Sequence, residues 1–280
     1  MVENYVNLYE HYGMVRPENA RGDLTCWNLP TSVEISQGRK RPAVLVIPGG
    51  GYSFTSAREA EPIALRFMSY GYVPFILRYS CAPLAFPTQL REAAMAMRYI
   101  RENAEEYEVD PTMVAAIGFS AGGHLCGTLG TMYDCPEVAD IGDAALIRPD
   151  ALGLCYPVLI GWGNTHEGTM ETVSGGDPAL RQRLSLDNQV RPDMPPVYLW
   201  HTHNDQTVPC RNSLIFAQKL DENGVNFALN LYANGQHGLS LADELVYGTN
   251  SVPQFSPDVV DWTRSCDRFW REMGFDITDK

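Results

Sequence analysis

Long apolar runs are missing from this chain. Nothing in it approaches the roughly 18 consecutive apolar residues of a membrane-spanning helix. Its first residues, MVENYVNLYEHYG, carry Glu3 and Glu10 and lack both the basic and the apolar segments of an export signal. Basic clusters are missing as well. With 34 acidic against 21 basic residues the formal net charge is −13, and the densest run of cations, GRKR at 38–41, reads as a solvated turn. Such a surface repels phosphate backbones, so nucleic acid is not an expected partner and polyanionic substrates are mildly disfavoured. The 7 cysteines are odd in number, scattered, and never spaced C-x-x-C. That pattern excludes a disulfide framework or a zinc ribbon and fits reduced thiols in a cytosol. A soluble cytoplasmic protein without membrane association is expected. The oligomeric state stays open.

What the chain does have is a rhythm. From residue 43 short apolar runs alternate with longer helical patterns. AVLVIP (43–48), VPFILRY (73–79), MVAAIGF (113–119), ALGLCYPV (151–158), PVYLWHT (196–202) and FALNLYA (227–233) read as strands. AREAEPIALRFMSYG (57–71), LREAAMAMRYIRENAEEY (90–107), NSLIFAQKLDENG (212–224) and VDWTRSCDRFWREMG (260–274) read as helices. Continuous apolar strands separated by helices predict a mostly parallel sheet covered on both faces, with the loops after the strands gathered along one edge. Residues 1–42 hold two short runs, YVNLYE and LTCWNLP, expected to pair antiparallel at the sheet margin. Residues 159–195, rich in Gly, Asp, Pro and Asn, have weak periodicity and read as an inserted cap or lid. One α/β domain over 1–280 is the expectation.

Gly118-Phe119-Ser120-Ala121-Gly122 follows a predicted strand and opens a helix. That is the setting of a nucleophile elbow, where glycines relieve a sharp strand-to-helix turn and the serine is held out above the sheet. VIPGGGYSF (46–54) ends the first long strand, and its glycines free backbone N–H groups to bind an oxyanion. The expected donors are Gly50, Gly51 and Ala121. A phosphate-binding loop is the competing reading, weakened because neither G-K-[ST] nor G-x-G-x-x-G follows.

A serine needs a base, and the base needs an orienting carboxylate. Asp205 follows the strand 196–202, and His237 lies in a Gly-rich loop after the strand 227–233. All four elements fall at strand C-termini, where one sheet edge brings them together. His201-x-His203-x-Asp205 also matches the start of some dinuclear metal sites, but Gln206 stands where a histidine is wanted, and His11, His124, His166 and His237 do not complete a ligand set. His124 is expected to pack beside the elbow helix, and Cys126 and Cys155 to be core thiols. Tyr52, Trp162 and His166 are candidates for the substrate pocket.

With these motifs assembled, the chain resembles the α/β-hydrolase superfamily and, within it, the bacterial acetyl esterase/lipase and acetylxylan-esterase-like group. The resemblance runs from about Pro42 to the last helix and rests on VIPGGGY, GFSAGGHLCG, PPVYLWHTHNDQTVP with NSLIFAQKL, and NGQHGLSLA. It implies Ser120 as nucleophile, His237 as base and Asp205 as orienting acid. Asp205-Gln-Thr-Val-Pro209 matches the group's D-x-x-V-P, which favours Asp205 over Asp221 or Asp243. Many relatives begin the oxyanion loop with histidine, where this chain has Pro48. The implied reaction is two-step acyl transfer on short acyl esters, often acetyl groups on sugars such as xylo-oligosaccharides, with no cofactor and no metal. A serine amidase, arylformamidase or peptidase is the alternative chemistry for the same triad.

Overall fold

The computed structural model describes residues 2–32, 34–35, 38–248 and 253–279. Within the 1–42 segment, positions 1, 33, 36 and 37 therefore lie outside the described residues. The chain begins with β1 (Val2–Asn7), the short helix α1 (Leu8–Tyr12) and β2 (Asp23–Asn28). Then come β3 (Arg39–Ile47), α2 (Glu61–Ser69), β4 (Val73–Arg78), α3 (Thr88–Glu102), β5 (Val109–Phe119), α4 (Ala121–Met132), α5 (Ala144–Ile147) and β6 (Ala151–Cys155). The second half holds α6 (Glu167–Ser174), α7 (Pro178–Arg183), β7 (Val197–Thr202), α8 (Arg211–Glu222), β8 (Phe227–Tyr232), α9 (Glu244–Tyr247), α10 (Trp262–Glu272) and β9 (Thr278–Asp279).

The strands lie in the order β1-β2-β4-β3-β5-β6-β7-β8, and β9 pairs with the start of β3. β1 and β2 are antiparallel at one margin, as the sequence predicts, and β3 to β8 run parallel. The central strands are buried on both faces, and their residues sort alternately into two cores. Leu45, Ile47, Ala116, Leu152 and Leu199 join the core with α3, α4 and α8. Val44, Val46, Ile117, Cys155 and Trp200 join the core with α2 and α10, where Trp262 and Trp270 are fully buried.

Two expectations are corrected, and the inserted segment gains detail. YVNLYE is not one strand, because Asn7 caps a helix that begins at Leu8, its side chain accepting the Glu10 N–H. The helix expected over 90–107 stops at Glu102, where the Asn103 amide bonds back to the Tyr99 carbonyl and the chain turns to set Tyr107 against the Tyr99 hydroxyl at 2.9 Å. Residues 159–195 contain two real helices. His166 and Asp177 cap the N-termini of α6 and α7, and Gly175, at φ 60°, ends α6 in the left-handed region. Met170 and Val173 anchor α6 in the core. The segment lies over the C-terminal edge of the sheet and supplies one wall of the cleft described next.

Candidate active site

The turn after β5 shows why its glycines are required. A Cβ on Gly118 would stand 2.2 Å from the Gly122 carbonyl oxygen, and one on Gly122 would stand 2.2 Å from that of Ile47. Strand, turn and helix therefore pack backbone against backbone. Between them Ser120 takes φ 54° and ψ −117°, a strained conformation worth about 1–3 kcal/mol that the surrounding packing must offset. The turn delivers the Ser120 hydroxyl to the edge of the sheet.

There Ser120 Oγ lies 2.8 Å from His237 Nε2, and His237 Nδ1 lies 2.7 Å from Asp205 Oδ2. A carboxylate only accepts, so Nδ1 carries the proton and Nε2 is free to accept the serine's. Asp205 is almost fully buried, and its other oxygen accepts the N–H groups of Thr207 and Val208 at 2.9 and 3.0 Å. Burial alone would raise its pKa. The hydrogen bonds from His201, His237 and the backbone outweigh that and hold the carboxyl well below the usual range.

His201 takes a supporting place. Its Nε2 donates to the Val208 carbonyl at 2.8 Å and also lies 3.4 Å from Asp205 Oδ2, while Nδ1 accepts from the Ser213 hydroxyl at 2.8 Å. Both ring nitrogens are thus engaged, and His203 is exposed. Among the described residues no group of three or more metal-ligating side chains comes together.

The glycine loop after β3 faces Ser120 across the cleft. The Gly49 N–H is taken by Glu59 Oε2 at 2.9 Å. The N–H groups of Gly50, Gly51 and Ala121 have no acceptor among the described residues. Gly50, at φ 127°, needs the conformational freedom only glycine has, and Gly50 and Gly51 line the cleft with Ser120.

The cleft measures about 420 Å³. His166 and Thr172 from the inserted segment form one wall, Arg58 and Gly238 another, and Phe54, 61% exposed, stands at the lip. His166 Nδ1 accepts the Thr169 N–H at 3.2 Å, so the neutral ring carries its proton on Nε2. Burial, and after it the nearby His237, lower the His166 pKa and favour that neutral form.

Two of the candidate pocket residues do not line this cleft. Tyr52 is fully buried, because φ 59° turns it beneath the loop, where its hydroxyl donates to His124 Nδ1 at 2.9 Å. His124 in turn donates from Nε2 to the Leu184 carbonyl at 2.9 Å, and burial pushes its pKa down to about 4, as befits a packing residue. Trp162 stands on a separate surface groove, its indole N–H bonded to Asp187 at 3.0 Å and the Arg211 guanidinium over its ring. Cys126 and Cys155 are buried thiols, as expected.

Sequence reasoning missed Glu59 and Tyr156. Glu59 is buried at the cleft, its Oε2 on the donor loop and its Oε1 accepting the Tyr156 hydroxyl at 2.8 Å. Burial raises its pKa, partly offset by those two donors. The same hydroxyl accepts the Ser240 N–H at 3.0 Å, and the Tyr156 ring meets the His237 ring edge-on, with centroids 5.1 Å apart. Ser240 closes the ring of contacts by donating to the Arg58 carbonyl.

Residues 32–143 match the BD-FAE family model, and residues 157–263 match that of the prolyl oligopeptidase family. The chain is 33% identical to the acetyl ester-xyloside bifunctional hydrolase from Caldicellulosiruptor lactoaceticus, with a TM-score of 0.82 over 97% of both chains. It is 36% identical over 228 residues to endo-1,4-beta-xylanase B of Butyrivibrio fibrisolvens, covering 78% of this chain and 35% of that one. It is 26% identical over 256 residues to the acetylxylan esterase of Xylanibacter ruminicola, covering 89% and 49%. The chain thus spans about a third to a half of the length of these two curated relatives.

Proposed function

Because the chain belongs to the α/β-hydrolase acetyl esterase group, we propose that it is a serine carboxylesterase that removes short acyl groups, chiefly acetyl, from carbohydrates such as xylo-oligosaccharides. The observation that carries this reading is the hydrogen-bonded series Ser120–His237–Asp205 facing backbone N–H groups that have no other acceptor among the described residues. Hydroxyl groups of Ser53, Ser56, Thr172 and Thr207 in the lining, with the Phe54 ring at the lip, support a sugar as the alcohol part.

In this mechanism His237 Nε2 takes the Ser120 proton as Oγ attacks the ester carbonyl. The N–H groups of Gly50, Gly51 and Ala121 hold the oxyanion. Collapse releases the alcohol, which leaves with the proton from His237. Water then attacks the acyl-serine, giving a proton to His237, and collapse of the second intermediate returns that proton to Ser120 Oγ as the carboxylic acid is released. Asp205 keeps the ring in the required tautomer and stabilises the imidazolium. In this reading His166, in the cleft lining, donates from Nε2 to a sugar hydroxyl.

Seven unpaired cysteines support a reducing compartment, and with it the cytoplasm as the site of action on small oligosaccharides. The match of residues 157–263 to the prolyl oligopeptidase family favours one other chemistry, amide cleavage by the same triad. Acetate release from acetylated xylo-, manno- and gluco-oligosaccharides, beside a panel of aryl formamides and peptide amides, decides between them. Release from the sugars that is lost in Ser120→Ala supports the esterase. Turnover of amides alone overturns it.

A further inference from the structure

Arg58 stands in the wall of the cleft beside the histidine loop. A Cβ on Gly238, the residue after His237, would lie 3.2 Å from Arg58 Nη2. Three arginines of neighbouring elements are paired: Arg66 with Asp243, Arg78 with Glu61 and Arg183 with Glu137. Arg58 has no carboxylate within ion-pair distance among the described residues, and its only side-chain hydrogen bond there goes to the neutral Tyr247 hydroxyl at 3.2 Å. The guanidinium lies over the Tyr247 ring, 5.6 Å from its centroid, and the Tyr247 hydroxyl is itself tied to the Gly238 carbonyl at 2.7 Å. Tyr247 therefore positions the cation without cancelling its charge.

The neighbouring carboxylate offers no neutralisation by contact. Both oxygens of Glu59 are committed, one to the Gly49 N–H and one to Tyr156. The rest of the lining presents neutral donors and acceptors, among them Ser53, Ser56, Thr172 and Thr207. Arg58 and Glu59 interact only through space. In a chain of net charge −13, which repels anions at long range, a cleft guanidinium without a contact ion pair among the described residues marks a local exception. Planar guanidinium forks match carboxylates in two-point geometry.

We infer that Arg58 is a specificity-determining residue that binds a carboxylate on the alcohol part of the ester, so that acetylated sugars carrying a uronic acid are preferred over their neutral counterparts. The inference rests on the carboxylesterase reading above and narrows its substrate class.

The test compares kcat/KM for a monoacetylated methyl glucuronide and the matching monoacetylated methyl glucoside, which share a ring and differ in the carboxylate. Using the ratio of the two makes the result insensitive to any general loss of folded enzyme. The wild type should favour the acidic ester by about tenfold or more, as expected of a charge-assisted, two-point pair. The ratio should fall to about one or below in Arg58→Gln and recover in part in Arg58→Lys, which keeps the charge but loses the fork. Equal rates on the two esters in the wild type, or an unchanged ratio in Arg58→Gln, would overturn the inference while leaving the esterase reading intact. Absence of Ser120-dependent hydrolysis on both esters and on p-nitrophenyl acetate would overturn the esterase reading, and this inference with it.

Discussion

The Tyr156 hydroxyl joins two loops that the reaction needs in register. It donates to Glu59 Oε1 at 2.8 Å while accepting the Ser240 N–H at 3.0 Å, and the other oxygen of Glu59 holds the Gly49 N–H. One hydroxyl and one buried carboxylate thus fix the donor loop relative to the loop that carries His237.

Tyr156→Phe removes the link and leaves a buried carboxylate oxygen and a buried N–H without partners, each costing about 1–3 kcal/mol. Glu59→Gln keeps the shape, but its NH₂ group cannot accept, so either Gly49 or Tyr156 loses its bond. Both variants should melt several degrees lower and lose up to about 100-fold in kcat, since small misplacements of reacting groups carry penalties of that order. Thermal melts and steady-state kinetics on p-nitrophenyl acetate check this. Full activity in both variants would remove the bridge from the account.

The inserted segment is tied to the body by an ion pair with a defined pH response. Arg183 in α7 meets both carboxylate oxygens of Glu137, at 2.5 and 2.8 Å. The Arg183 hydrogen bonds, outweighing burial, lower the Glu137 pKa to about 2. A carboxyl more acidic folded than unfolded contributes stability above its unfolded value, about 4.3, and loses it as the pH falls to about 2. The pair is partly exposed, so screening limits its worth to about 1 kcal/mol or less. Glu137→Gln should melt about 2 °C below the wild type near neutral pH, with the gap closing as the pH drops toward about 2. A gap that is constant with pH would show that charge is not its source.

Gly122→Ala would drive a methyl group to 2.2 Å from the Ile47 carbonyl oxygen, a backbone atom that cannot swing away. We expect this variant to be insoluble or to melt far below the wild type. Gly224→Ala is its control: among the described residues nothing lies within 4 Å of the added carbon, and only the left-handed φ of 68° opposes the change. Its loss should be confined to about 1–2 kcal/mol. Equal stability of the two variants would contradict the close-packed elbow.

What was legible in the sequence follows from how local each signal is. The elbow, the triple glycine and the loop around His237 each lie in a few consecutive residues whose types are dictated by turn geometry, so Ser120, Asp205 and His237 could be placed without coordinates. Glu59 could not. In AREAEPIALRF it looks like one more charge on the wet face of a helix, and only Tyr156, 97 residues later, shows it to be buried. Tyr52 misled for the opposite reason: its place beside the glycines suggested the pocket, and its positive φ turned the ring into the core. Trp162 misled through proximity in sequence to His166, while its indole bonds away from the cleft. The helix expected to reach 107 overran because good helix formers continue past Asn103, where the side chain of that asparagine bonds the Tyr99 carbonyl and the backbone tightens into turns.

The central claim is that Ser120 is a nucleophile activated by His237. The most direct measurement is reaction with a fluorophosphonate, followed by mass spectrometry of the protein and of its proteolytic peptides. The serine oxygen displaces fluoride, so the account predicts one phosphonyl group per chain, carried by the peptide containing Ser120. It predicts none on Ser120→Ala and strongly slowed labelling of His237→Ala. Labelling at another residue, or no labelling of folded wild-type protein, would contradict it.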